Sequence, residues 1–127
     1  MPEKSVRYIL ASPKTKTVWK IAVFFPKETA WYSIKSAYNK YKDQYTTKYG
    51  NPSKSYNFFS NPYYEGDGYE TSAIRNGKCH YASFWDIANG NIVVSISTYM
   101  QVEIEYEDKI NSDINDKEKE GNIQGDI

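Results

Sequence analysis

The chain has 127 residues, with 16 Lys and Arg against 16 Asp and Glu, a formal net charge of zero, and 17% aromatic residues. This balance excludes a uniformly basic nucleic-acid coat and a highly acidic disordered chain, and no apolar run approaches the roughly 18–20 residues of a membrane-spanning helix. The zero hides a division: residues 1–54 hold 11 basic and 3 acidic side chains, residues 55–127 hold 5 and 13, so the halves carry +8 and −8.

A chain of this length is expected to form one domain with a core of ordinary size. Its material is unusual, because 13 Tyr, 3 Trp and 5 Phe supply much of the apolar bulk. Tyr and Trp bury a large ring but need a partner for a hydroxyl or indole N–H, so a dry aliphatic centre is not expected. A single cysteine, Cys79, forms no intramolecular disulfide, and a single histidine, His80, has no second imidazole for a zinc site. The opening Met-Pro-Glu-Lys-Ser-Val-Arg lacks an apolar h-region and does not read as a secretory signal.

Residues 6–10 and 17–25 are rich in β-branched and aromatic side chains and flank a polar connector with Pro13, which predicts a hairpin. Both faces of the second strand are largely apolar, so it is expected inside a sheet. Thr29 is the expected N-cap of a helix. Trp31, Ile34, Tyr38, Tyr41 and Tyr45 follow at spacings of 3, 4, 3 and 4, one stripe about 100° wide on that helix, which Gly50 and Pro52 close. A stripe this wide calls for a sheet beneath it.

The remainder reads as a β-meander. Residues 69–75 and 78–87 flank Asn76-Gly77, a hairpin signal that Asn89-Gly90 repeats before residues 91–97. Two-residue turns set Ile74 opposite Cys79, Trp85 opposite Val94 and Ile87 opposite Ile92. One face then collects Ile74, Cys79, Tyr81, Trp85, Ile92, Val94 and Ile96 as the core, with His80 on the other face near Ala73. A last strand alternates Val102, Ile104 and Tyr106 with Glu103, Glu105 and Glu107, whose charges suit a protected edge. Between helix and meander, a short strand around Tyr56 to Phe59 leads into an aromatic loop. The expected fold is α+β: a twisted antiparallel sheet of about six or seven strands against one long amphipathic helix, in the order ββα and then meander. The domain covers residues 1–107, and residues 108–127 form a polar acidic tail with a short helical turn around Ile110 and Ile114.

No constellation for catalysis emerges. His80 is the natural acid-base candidate, but Cys79 is its neighbour in a strand and points to the opposite face, so the two form no nucleophile and base pair. Glu65, Asp67 and Glu70 surround two glycines without the spacing of a calcium loop, and turn chemistry explains them better. The eleven basic residues of the first half, interleaved with aromatics, allow nucleic-acid binding as an alternative; against it, the helix aromatics are needed for packing and its lysines follow no single track. Exposed rings on the loop of residues 56–69, Tyr63, Tyr64 and Tyr69, are the candidate ligand-binding residues. The expected function is therefore a non-enzymatic binding or interaction module for a protein or carbohydrate ligand, without cofactor or metal. Self-association of the positive half of one copy with the negative half of another is a third reading.

Four stretches carry a family resemblance: Trp31-x-x-Ile34-x-x-x-Tyr38, the helix exit Lys48-Tyr49-Gly50-Asn51-Pro52, Gly77-Lys78-Cys79-His80-Tyr81 with Trp85, and Tyr106-Glu107-Asp108-Lys109-Ile110-Asn111. Together they resemble an uncharacterised family of small proteins from anaerobic gut bacteria, over nearly the whole chain. The matching residues are structural, so the resemblance implies no activity for any of them. It implies an exported, periplasmic or extracellular protein with a helix-bearing segment before the first hairpin, a segment from which this chain departs by starting almost at its first strand.

Overall fold

A computed structural model describes residues 6–11 and 18–108, with side chains from Lys20 onward. The elements are β1 (Val6–Ala11), β2 (Val18–Phe24), α1 (Trp31–Tyr49), β3 (Lys54–Phe59), α2 (Glu70–Arg75), β4 (Cys79–Ile87), β5 (Gly90–Ile96) and β6 (Val102–Asp108). The strands form one antiparallel sheet in the order β1-β2-β6-β5-β4-β3. The 13–16 connector and the tail turn around Ile110 and Ile114 lie outside the described residues.

The helix α1 carries the chain from β2 to β3 over the three strands between them. Its 19 residues give a rod about 28 Å long, enough to cross four strand spacings of about 19 Å in all. The aromatic stripe faces the sheet: Ile34 and Tyr38 are fully buried, and Trp31, Tyr41 and Tyr45 pack beside them. Beneath lie Tyr81, Trp85, Ile92, Val94, Ile96 and Val102. The polar tips of the two largest fully buried rings, Tyr38 and Trp85, are paired. Tyr38 shares a 2.6 Å hydrogen bond with Ser83, which is itself fully buried and 3.1 Å from Ser55. Trp85 Nε1 donates to the Gly50 carbonyl at 2.9 Å, tying the helix exit to β4.

Several expectations are corrected. The segment read as a strand over 69–75 is the helix α2, so two helices accompany the six strands rather than one. Asn76-Gly77 ends this helix instead of turning a hairpin. Gly77 has φ of 72°, its N–H donates to Ile74 O at 3.1 Å, and the Lys78 N–H donates to Ala73 O at 2.8 Å. This is the paired 5→2 and 6→1 closure of a helix end, and Asn-Gly satisfies its left-handed position as readily as that of a hairpin. Ile74 therefore reaches the core from α2, and His80 has Phe58 of β3 as its cross-strand neighbour, not Ala73. The N-cap of α1 is Ala30 rather than Thr29, with no side-chain cap.

The β4–β5 turn is also displaced. Ile87 pairs with Gly90 and Trp85 with Ile92, so the loop is Ala88-Asn89. The register moves by two residues, an even number, and the expected core face survives. Gly90 is required by its surroundings rather than by a turn, because a Cβ there would overlap the carbonyl oxygen of Glu107 on β6. Finally, β6 is internal, between β2 and β5, so its glutamates line a sheet face and do not guard an edge. Its connection from β5 is a three-residue turn with Met100 at φ of 60°, and Ser97 N–H donates to Gln101 O.

Gly90→Ala is expected to destabilise the fold by roughly 1–3 kcal/mol through overpacking, and Gly77→Ala by roughly 1–2 kcal/mol through backbone strain alone. Urea unfolding gives the magnitudes, and amide chemical shifts separate the causes. Perturbation at Glu107 and Asp108 is expected only for Gly90→Ala, and its absence would refute the close approach.

Candidate functional site

The loop between β3 and α2 is built by its own carboxylates. Asp67 Oδ2 accepts the Tyr64 N–H at 3.0 Å and Asp67 Oδ1 the Tyr69 N–H at 2.7 Å, while Glu70 Oε2 accepts the Gly66 N–H at 2.8 Å. Glu65 straps the loop onto the helical side of the domain: it accepts from Lys35 Nζ of α1 at 2.5 Å and from the Tyr81 hydroxyl of β4. The three carboxylates are thus occupied in turn and strap contacts. Among the described residues, no group of three or more His, Cys, Asp and Glu side chains could hold a metal ion.

The three candidate tyrosines are separated by this arrangement. Tyr63 is half-buried, and its hydroxyl accepts from Asn76 Nδ2 at 3.0 Å, so it braces the end of α2. Tyr64 and Tyr69 are each 65% exposed. None of the three lines the cavities described below.

Those cavities lie on the opposite side. Strand alternation sends Trp85, Val94 and Val102 toward the helices and the odd-numbered positions of β5 and β6 the other way. The outer face therefore carries Tyr56 and Phe58 from β3, His80, Ala82, Phe84 and Asp86 from β4, Asn91, Val93 and Ser95 from β5, and Glu103, Glu105 and Glu107 from β6. Tyr56 is 43% and Phe58 51% exposed. One cavity of about 330 Å³ is lined by Tyr56, Phe58, His80, Ala82 and Ser95, among others. Another, of about 440 Å³, is lined by Lys54, Tyr56, Phe84, Asp86, Glu105 and Glu107, among others. Tyr56 is common to both. The pair forms one trough along the outer face beside β3, an edge strand whose residues are exposed from Lys54 to Phe58.

His80 belongs to this face. Its ring stacks on Phe58 with centroids 4.7 Å apart, and Nε2 lies 2.6 Å from Ser60 Oγ. The contact resembles half of a nucleophile pair, but among the described residues no carboxylate hydrogen-bonds the other ring nitrogen, as a triad requires. Cys79 faces the core side, and burial, followed by the Glu65 charge, pushes its thiol up to about 12, leaving it protonated and unreactive at neutral pH.

The glutamates of β6 are crowded. Burial first, and then the adjacent Glu105, push the Glu103 carboxyl up to about 8, with Lys20 opposing. Lys20 Nζ is 3.4 Å from Glu105. Folded protein thus holds a proton on Glu103 that the unfolded chain has already lost above the ordinary value of 4.5. Stability falls as pH rises across that window. The variant Glu103→Gln is expected to gain stability relative to the parent between about pH 5 and 8.5, read from urea midpoints; equal differences at both ends would show an ordinary carboxyl. Glu65 has the opposite sign, since Lys35 and then Tyr81 hold its carboxyl below the usual range. Its contribution is present above 4.5 and lost as pH falls through the lowered value, so Glu65→Gln is expected to flatten the acid limb of the stability curve. An unchanged acid limb would remove the strap as a stabilising contact.

Comparisons of the chain with protein-family models, with curated proteins and with solved structures find no match.

Proposed function

We propose that the protein is a non-enzymatic binding module that engages a protein ligand through the outer sheet face beside β3. The observation that carries this reading is the trough itself: Tyr56 and Phe58 stand exposed on an unprotected edge strand and wall two adjoining cavities. Solvent-facing aromatics at a strand edge are costly to keep without a role, because the edge invites pairing and the rings favour burial. They supply large contact area at low conformational cost, the usual chemistry of an interaction surface.

The loop tyrosines Tyr64 and Tyr69 form a second exposed group and remain in the proposal as a separate contact region. Nucleic-acid binding through the basic half finds less support. Lys20 and Lys35 are engaged by Glu105 and Glu65, Lys40 and Lys48 lie over tyrosine rings of their own helix, and the outer face displays carboxylates that repel phosphate. Action outside the cytoplasm is also proposed, on the strength of the family resemblance.

Panning a phage-displayed library of random peptides on the immobilised full chain tests the reading. Enrichment is expected on the parent protein and is expected to vanish on Tyr56→Ser with Phe58→Ser, whose circular dichroism spectrum is expected to match the parent's because both positions are exposed. Enrichment lost instead on Tyr64→Ala with Tyr69→Ala would move the site to the loop. Peptides that bind both variants equally well, or no enrichment at all, would refute an aromatic binding surface.

A further inference from the structure

We infer that the partner engaged beside β3 is a second copy of this chain, joined by antiparallel pairing of β3 with β3 about a two-fold axis at Asn57. This rests on the β3 side of the sheet being an interaction surface, and it names the occupant.

The backbone parity of this edge is fixed by its inner neighbour. The Ser60 N–H donates to Lys78 O at 2.8 Å, in step with the register that pairs Phe58 with His80 and Tyr56 with Ala82. Tyr56, Phe58 and Ser60 therefore direct their N–H and C=O groups to β4, and by alternation Ser55, Asn57 and Phe59 direct theirs away from the sheet. Among the described residues no strand lies beyond them, and the side chains from Lys54 to Phe58 are exposed. The usual guards of an edge, charges and prolines, are missing from residues 55–59, whereas Pro52 and Pro62 stand on either side and bound the segment.

Self-complementarity selects the occupant. A two-fold axis at Asn57 pairs Asn57 with itself and Ser55 with Phe59 in both directions, so every outward-pointing backbone group meets its complement. The same register sets Tyr56 of each copy opposite Phe58 of the other, at the non-hydrogen-bonded sites where Cα atoms are about 4.5 Å apart and side chains are closest. These rings are 43% and 51% exposed on the outer face. An axis at Tyr56 would keep the backbone parity but oppose Phe58 to Lys54, and an axis at Phe58 would oppose Tyr56 to Ser60, so only Asn57 yields both aromatic pairs. Lys54, the one charged residue of the segment 53–61, falls opposite Ser60, and no like charges meet. The four rings offer at most about 400 Å² to the contact, against about 2,000 Å² or more for an obligate dimer. The association is therefore weak and concentration-dependent.

Sedimentation velocity on the full chain, from about 10 μM to about 1 mM, is expected to show a monomer–dimer equilibrium. That equilibrium is expected to hold between about 50 and 300 mM salt, because the paired segment opposes no charges, whereas docking of the basic half on the acidic half would weaken over the same range. Asn57→Lys and Asn57→Asp are each expected to weaken association about tenfold or more, since the residue on the axis meets itself, and an equimolar mixture of the two is expected to restore it. In the parent, hydrogen exchange is expected to slow with concentration at the Ser55, Asn57 and Phe59 amides and to stay unchanged at Tyr56 and Phe58. A parent that remains monomeric throughout overturns the proposal, as does a dimer that both Asn57 variants retain, or exchange that slows elsewhere but not at these three amides. A monomeric parent whose library peptides still require Tyr56 and Phe58 overturns the second copy and leaves the binding face in place; loss of that requirement as well removes both.

Discussion

A core built from Tyr38, Tyr81 and Trp85 has three polar tips to satisfy, and the routes of the connecting segments follow from how they are met. An unpaired buried hydroxyl or indole N–H costs roughly 1–3 kcal/mol, a large share of the stability of a small domain. Tyr38 finds Ser83, and through it Ser55 and Lys42, a chain of hydrogen bonds that leads from the centre of α1 across β4 to the edge strand. Trp85 finds the Gly50 carbonyl, which sets where the helix stops and the chain turns toward β3. Tyr81 finds Glu65, which brings the β3–α2 loop down onto the helical side. Each tip positions a different segment.

One consequence is the division of labour between the two sides of the sheet. With the loop strapped inward, both helices and the loop crowd the core side, where Ile74 of α2 joins Ile34 and Tyr38 of α1. No described helix is left to cover the other side. The aromatic rings there, Tyr56, Phe58 and Phe84, lean on one another and on His80 at centroid distances of 4.7–6.4 Å. These contacts account for His80 without chemistry, because its ring is held by Phe58 and its nitrogen by Ser60. They also leave the exposed edges of the rings available to a partner.

The parts of this fold that show in the sequence are those governed by periodicity. The stripe from Trp31 to Tyr45 and the alternation in β4, β5 and β6 fix faces, and faces tolerate error: a two-residue shift at the β4–β5 turn leaves Trp85 and Ile92 on the core side. Asn76-Gly77 misleads because its signal is a backbone conformation, a left-handed residue, that hairpins and helix ends share. Six residues with one apolar pair, Ala73 and Ile74, are too few for the helical period to declare itself. Strand order is not legible either. Nothing local in β6 tells that its partner is β2, some eighty residues earlier in the chain, and only that pairing moves the Glu103, Glu105 and Glu107 row from an edge to the interior of a sheet face, where Glu105 and Glu107 line a cavity. The candidate loop tyrosines followed from composition, whereas the outer-face trough depends on four strands assembled side by side.

The divided charge takes its meaning from the same pairing. Lys20–Glu105 and Lys35–Glu65 each join a residue of the basic half to one of the acidic half, so the fold interleaves +8 and −8 wherever strands or loops of the two halves meet. Such exposed pairs contribute little stability each, and their effect is mainly to cancel fields. The same holds at β6, where Lys20 of β2 pairs with Glu105, and burial together with the adjacent Glu105 keeps a proton on Glu103. A row that reads as three like charges in the sequence is thus moderated inside the sheet by a lysine of the neighbouring strand and by a retained proton.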